Sequence, residues 1–291
     1  MKKILLSLSM IAVVGVVVAG ATGAFFSDTE TSTGNTFTAG AIDLGVDNTS
    51  YYNGVLNQGT TWTIDWDLSK GSDGQSEVHQ FFNFLDLKPG DWGEDTISLH
   101  VNNNPSYLCA DVTLRTNDDK SSTEPELASP DVAEDLLNFW DGELAGHIKW
   151  YWWADDGDNV YEEDENLLND GVAFPNQAGT YHVALADKNT NVWGLTDTVD
   201  GDGAPIPGER PFYIAKAWCF GDSEFEAYEP SDDIGPIDTS PVVRPVNCSG
   251  LNESNITQTD GMTMDIAFRA EQARNNSSFS CGSGFTPTSP Q

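Results

Sequence analysis

Two stretches of the chain have the residue types and spacing of a hard-cation site. Calcium loops of the EF-hand type place oxygens at positions 1, 3, 5, 7, 9 and 12, with a residue at 6 that tolerates a sharp turn, because the ion collects about six to eight oxygens in one shell. In Ala154 to Glu165 those slots hold Asp156, Asp158, Asn159 at the turn, the Val160 carbonyl, Glu162 and Glu165. In Thr198 to Glu209 they hold Asp200, Asp202, Gly203 at the turn, the Ala204 carbonyl and Glu209. Both loops depart from the pattern at position 1, where Ala154 offers no ligand and Thr198 a weak one. Asp155 or Asp197 is the carboxylate placed to substitute. The implied cofactor is structural Ca2+, which would rigidify the loops and offset like-charge repulsion. The competing reading is a solvated turn, since a chain with 46 acidic residues contains Asp-x-Asp by composition alone.

Catalytic chemistry finds no comparable set. His79, His100, His147 and His182 are scattered, and no His-Glu-x-x-His zinc helix occurs. Carboxylate pairs for glycoside hydrolysis cannot be singled out among so many acids. Trp150-Tyr151-Trp152-Trp153 places aromatic rings on both faces of a strand. One face then serves as a stacking platform for sugars, or Trp150 and Trp152 fill the core while Tyr151 and Trp153 lie beneath a helix. Aromatic burial favours the second. Six N-x-S/T sequons, at Asn48, Asn247, Asn252, Asn255, Asn275 and Asn276, cluster towards the C-terminus and suit a glycosylated outer surface or polar loops.

The elements that must position these residues are mainly strands. Phe37 to Val46, Thr60 to Leu68, Val78 to Leu85, Thr96 to Val101, Tyr107 to Thr116, His147 to Trp153, Thr180 to Ala186, Phe212 to Phe220 and Met262 to Ala270 all carry strand patterning between Gly, Asn and Pro. Pro89-Gly90 suits the two central positions of a tight turn, giving a hairpin between Leu87 and Trp92. Ser121 to Ser129 is polar and loop-like. Ser129-Pro130 then starts a helix, with Val132, Leu136, Leu137, Trp140 and Leu144 at helical spacing up to Gly146. Asp222 to Ser240 and Asn275 to Gln291 read as irregular.

The first residues read as an export signal. Lys2 and Lys3 precede an apolar run from Ile4 to Gly20, and Ala21-Thr22-Gly23-Ala24 supplies the small residues a signal peptidase accepts, with the cut after Ala24. A retained membrane anchor is the alternative, because the run is only slightly short of the ~20 residues of a span. In the stretch that follows, the odd positions Phe25, Ser27, Thr29, Thr31, Thr33, Asn35 and Phe37 carry no charge, while the even ones include Asp28 and Glu30. This alternation marks a half-buried strand with too few apolar groups to form a sheet alone. A disordered chain end is the other reading.

Ala24-Phe25-Phe26-Ser27-Asp28-Thr29 and Thr36-Phe37-Thr38-Ala39-Gly40-Ala41-Ile42-Asp43-Leu44, behind an export signal, resemble the start of the TasA/camelysin family of SipW-dependent secreted proteins. Leu85-Asp86-Leu87-Lys88-Pro89-Gly90-Asp91 resembles the family's second signature. The similarity covers the first 46 residues and roughly residues 80 to 116. It implies a jelly-roll-like sandwich whose copies link by donor-strand complementation into biofilm matrix fibres or archaeal bundling pili. It also imports a metallopeptidase label, which none of the residues above carries.

Composition sets the remaining bounds. The formal charge of −33 grows to about −35 once Lys2 and Lys3 leave, which excludes nucleic acid and anionic lipid as partners. Self-assembly then needs screening by salt or divalent ions. Cys109, Cys219, Cys248 and Cys281 lie beyond the cut with no C-x-x-C pair, so two disulfides are expected. Three connectivities are open, and the preferred one joins Cys219 to Cys248 and Cys109 to Cys281.

The expected molecule is a signal peptide over 1–24, a donor strand over 25–38 and one antiparallel β-sandwich over 39–291 with an inserted amphipathic helix and long acidic loops. It is a secreted fibre subunit of the extracellular matrix or cell surface, anchored through Phe25 and Phe37. Its partners are further copies of itself, then other matrix proteins or polysaccharide. The alternative is a non-polymerising surface module that binds carbohydrate.

Overall fold

A computed structural model describes residues 27–32, 43–66, 68, 79–102, 104–129, 131, 134–174, 177–197, 203–228, 246–282 and 284–287. The expected export signal and cleavage site, with Phe25, Thr33, Asn35 and Phe37, lie outside the described residues.

Two antiparallel sheets face each other across one core. The first contains β1 (Ser27–Ser32), β6 (Ser106–Asp119), β9 (Gly179–Ala186), β13 (Asp260–Gln272) and β14 (Gly284–Pro287), in the order β1-β13-β6-β9-β14. The second runs β3-β2-β5-β10-β7-β8, with β4 also on β2. Its strands are β2 (Leu44–Tyr52), β3 (Val55–Leu56), β4 (Trp62–Asp65), β5 (Trp92–Val101), β7 (Ile148–Asp155), β8 (Leu167–Asp170) and β10 (Pro211–Phe220). Alternation explains the packing. Leu108, Ala110 and Val112 of β6, with Ile266, Phe268 and Ala270 of β13, meet Ile97 and Leu99 of β5 and Trp152 and Ile214 of β7 and β10.

The seven-stranded sheet is covered on its outer face too. A small hairpin of β11 (Asp222–Phe225) and β12 (Val246–Ser249) lays Phe225 and Val246 over Tyr151 and Trp153. Phe225 stacks on Tyr151 with ring centroids 4.1 Å apart. Cys219 of β10 is bonded to Cys248 of β12, which ties the hairpin down, and Cys109 of β6 is bonded to Cys281 near the C-terminus. Their Cα separations are 5.4 and 5.8 Å.

Five expected segments differ, two of them because Asp222 to Ser240 and Asn275 to Gln291, expected to be irregular, carry the strands Asp222–Phe225 and Gly284–Pro287. The helix from Pro130 to Gly146 is replaced, among the described residues, by an irregular segment and a single turn, α2 (Leu144–His147). Leu136 and Leu137 are 81% and 90% exposed. Side-chain oxygens take the backbone donors a helix would have used: Ser122 Oγ accepts from Glu134 N–H, Asp141 Oδ2 from Asp135 N–H, and Asp135 Oδ1 from Leu137 N–H. A short helix forms instead inside the expected loop, α1 (Glu124–Ala128), where Thr123 and Glu126 make a capping box. The described part of Val78 to Leu85 is no strand either. Phe81, Phe82 and Phe84 all point into the molecule, against Trp62, Trp150 and Trp218, so the segment closes one end of the sandwich without joining a ladder.

The turn at Pro89-Gly90 forms, with Gly90 at φ +93° and Asp91 N–H donating to Lys88 O at 2.9 Å. It leads into β5 without linking two strands as a hairpin. The Asp91 carboxylate accepts from Tyr52 Oη at 2.5 Å, Lys88 N–H at 2.7 Å and Asn53 Nδ2 at 2.8 Å. This joins the turn to the β2–β3 hairpin. A Cβ at Gly250 would lie 2.2 Å from the Pro89 carbonyl carbon, so the two backbones touch only because Gly250 has none.

Candidate functional site: an edge strand and an acidic loop

Residues 27–32 form β1, which pairs antiparallel with β13 of the same chain, Ser27 opposite Glu271 through Ser32 opposite Ile266. The expectation that this segment has a place only in another molecule's sheet is therefore corrected: its own β13 accepts it, because an edge strand leaves a row of free N–H and C=O groups. The register also departs from the expected alternation. Asp28 and Glu30 stand opposite Ala270 and Phe268, which are buried, whereas Ser27, Thr29 and Thr31 stand opposite Glu271, Arg269 and Ala267. Arg269 and Ala267 belong to the partly exposed side of β13. The ladder on β13 is the strand's one place in the described sheets, and beyond Ser32 the next described strand, β2, belongs to the other sheet.

The acidic loop leaves the end of β7. It brings together Asp155, Asp156 and Asp158, one carboxylate oxygen of each lying within 4.8 Å of the others. Asp155, the carboxylate expected to substitute for Ala154, is thus one of the three. Its Oδ2 accepts from Gly157 N–H at 2.9 Å and Asn159 N–H at 3.3 Å, and its Oδ1 from Trp153 Nε1 at 3.0 Å. Asn159 takes the turn position at φ +66° and is fully buried. Glu165 closes the loop from its far end, Oε1 accepting from Asp156 N–H at 3.0 Å and Oε2 from Glu162 N–H at 3.1 Å. Glu162 and Glu165 lie beside the three aspartates, outside their group. Burial first, and then Asp158, pushes Asp155 up to about 7; burial, and then Asp155, pushes Glu165 up to about 9. The crowding is what a divalent ion relieves. An open cleft of ≈ 380 Å³, lined by Asp155, Glu165, Trp193, Arg210 and Tyr213 among others, gives access from solvent.

In the second acidic loop, Asp200 and Asp202 lie outside the described residues. Glu209 is exposed, at φ +74°, with its N–H bonded to Val101 O, and joins no carboxylate group among the described residues.

The aromatic run is not a sugar platform. Trp150, Tyr151, Trp152 and Trp153 are all buried. Trp150 and Trp152 face the core, while Tyr151 and Trp153 lie under the β11–β12 hairpin and not under a helix. Covering on both faces explains why rings occur at successive positions. Asn48 is also corrected as an outer-surface sequon, since it is wholly buried and its amide donates to Thr60 O at 2.7 Å and Asp95 Oδ1 at 3.2 Å. Asn247, Asn252, Asn255 and Asn275 are exposed and Asn276 is half-buried.

Each histidine faces its own carboxylate: His79 with Asp65, His100 with Asp47, His147 with Glu253 and His182 with Asp111. The ligand groups among the described residues are all-carboxylate. Such oxygen sets suit hard cations and lack the imidazoles of a catalytic zinc centre. Among the described residues no helix is long and apolar enough to cross a membrane.

No curated protein matches the chain. Residues 1–141 match the family described as Camelysin metallo-endopeptidase, which is the TasA/camelysin family.

Proposed function

We propose that the protein is an exported structural subunit that polymerises when β1 of one copy replaces β1 of the next on the edge of β13. The observation that carries this reading is the placement of β1: six residues on a sheet edge, set with acidic positions opposite the buried side of β13. Departure of such a strand uncovers Ile266 to Glu271 and leaves their outward N–H and C=O groups as a template for an identical strand. Self-pairing in the single copy then closes the edge until a neighbour arrives. Donor and acceptor are the same ladder, exchanged between molecules.

The peptidase label of the family is not extended to this chain, because no histidine joins the carboxylate groups described above. Calcium in the Asp155, Asp156 and Asp158 loop is part of the proposal. It would lower the negative charge that opposes association and hold the cleft between β7 and β10. Location outside the cell, in the matrix or on the surface, is part of the reading and is supported by the expected export signal and the family match. A carbohydrate-binding role through Trp150 to Trp153 has no exposed ring to support it.

The test uses two variants of the mature chain that each add one cysteine to the two disulfides, Thr31→Cys and Ala267→Cys, at positions that stand opposite each other. Mixed and oxidised, they should form covalent dimers, and a double variant should form covalent ladders in any fibre fraction. A mixture that stays monomeric while the double variant closes only on itself would overturn the exchange.

A further inference from the structure

Asp119, the last residue of β6, stands opposite Asp260, the first residue of β13. Two like charges facing each other across a ladder are destabilising unless something lies between them. Glu126 reaches the same place from α1 and is fully buried. One carboxylate oxygen from each of the three lies within 4.8 Å of the others.

The hydrogen bonds at this place do not satisfy the carboxylates. Asp119 Oδ1 accepts from Ser121 N–H at 3.1 Å, and Asp260 Oδ2 from Glu143 N–H at 2.6 Å and Leu144 N–H at 2.8 Å. Glu126 Oε2 accepts from Thr123 N–H at 2.5 Å. The Thr259 hydroxyl has one proton, yet it faces three acceptors: Asp119 Oδ1, Glu126 Oε1 and the Ser121 carbonyl. Asp119 is 1% exposed, and its Oδ2 receives no hydrogen bond; nor does the buried Oδ1 of Asp260 or the buried Oε2 of Glu143. A desolvated carboxylate oxygen without a donor is strongly unfavourable, so neutral packing does not account for the arrangement. Lys120, the nearest base along the chain, pairs with Asp118.

We propose that Asp119, Glu126 and Asp260, with Glu143 and the Thr259 hydroxyl beside them, form a second divalent-cation site of the calcium type. The donors are all oxygen, which disfavours zinc and copper. They come from two strand ends, a helix and a loop at unequal reach, which suits the flexible coordination of calcium better than the strict octahedron of magnesium. The ion would fasten the start of β13 to the end of β6 and to α1, and so brace the strand on which β1 docks.

This inference is independent of strand exchange. It is separated from the proposed loop site by comparing two isosteric variants, Asp119→Asn/Asp260→Asn and Asp156→Asn/Asp158→Asn, in the mature chain after chelation. Calcium titration by calorimetry counts the ions, and thermal melts are run with calcium and with chelator. The Asp119→Asn/Asp260→Asn protein should bind one ion fewer than the wild type. In chelator it should melt at or above the wild type, because repulsion is gone, and it should lose its share of the calcium-induced rise, about 5–10 °C at a hundredfold excess over Kd. The loop variant should keep this ion, and it should do so even if the loop itself binds none. A first variant that binds as many ions as the wild type, with an unchanged melting shift, overturns the site. If that variant does not fold, Glu126→Gln alone provides the same count and the same decision.

Discussion

Glu30 stands directly opposite Phe268 in the ladder between β1 and β13. Phe268 is wholly buried, and Ala270, two residues on, stands opposite Asp28. Acidic positions set opposite the buried side of a sheet are a recognised way to weaken an edge pairing. Exchange requires the strand's own ladder to open first. The double substitution Asp28→Val/Glu30→Val should therefore slow the appearance of the Thr31→Cys to Ala267→Cys cross-link about fivefold to thirtyfold, given about 0.5–1 kcal/mol per improved pair. An unchanged rate would mean that release of β1 does not limit exchange.

Deleting Ser27 to Ser32 should leave a folded monomer that makes no fibres. The remaining strands β13, β6, β9 and β14 keep their ladders, and the core under them is built from other strands. Circular dichroism and negative-stain imaging of the same sample separate loss of fold from loss of assembly.

Lys216 is wholly buried, and its ammonium donates to Asp95 across the β10–β5 ladder, with the Phe82 ring 4.7 Å from the nitrogen. Burial lowers its pKa while Asp95 acts the other way. Lys216→Met should destabilise the fold by about 3–5 kcal/mol in urea melts, because it strands the Asp95 charge. Lys216→Met with Asp95→Leu should recover most of that loss.

The two disulfides should differ in worth. Sequence separations of 29 for Cys219–Cys248 and 172 for Cys109–Cys281 correspond, by loop entropy, to about 4 and about 5 kcal/mol. Replacing Cys219 and Cys248 with Ala should also free the β11–β12 hairpin and uncover Trp153, which a red shift in tryptophan emission would report. Reduced protein with unchanged emission would show that the hairpin holds without its bond.

Trp153→Ala should lower stability by about 3–5 kcal/mol and leave glycan pulldown unaltered, since the ring is fully buried between the sheet and Phe225. Asp91→Ala should cost about 3 kcal/mol, because three donors lose one acceptor together. Equilibrium unfolding of each variant checks both values.

The acidic loop was legible because its carboxylates are neighbours: Asp155, Asp156 and Asp158 need only a local turn to meet. Most strands were legible for the same reason, since alternation is a short-range pattern. The Pro130 to Gly146 helix was misread because apolar spacing says nothing about competing side-chain acceptors, and Ser122, Asp135 and Asp141 took the backbone donors. The capping box of Thr123 and Glu126 was a signal for α1 in plain view.

By itself, the order of residues determined that this chain is mainly β, very acidic, and carries an apolar run followed by a threonine-rich strand, because these depend on composition and on contacts a few residues long. Only the tertiary structure decided where that strand docks, in which register, and that Asp119, Glu126 and Asp260 meet. Register is a property of two strands at once, and the Asp119–Asp260 pair exists only where β6 and β13 come into line. Burial made the same distinction for Trp150 to Trp153, whose second covering layer comes from a hairpin far along the chain.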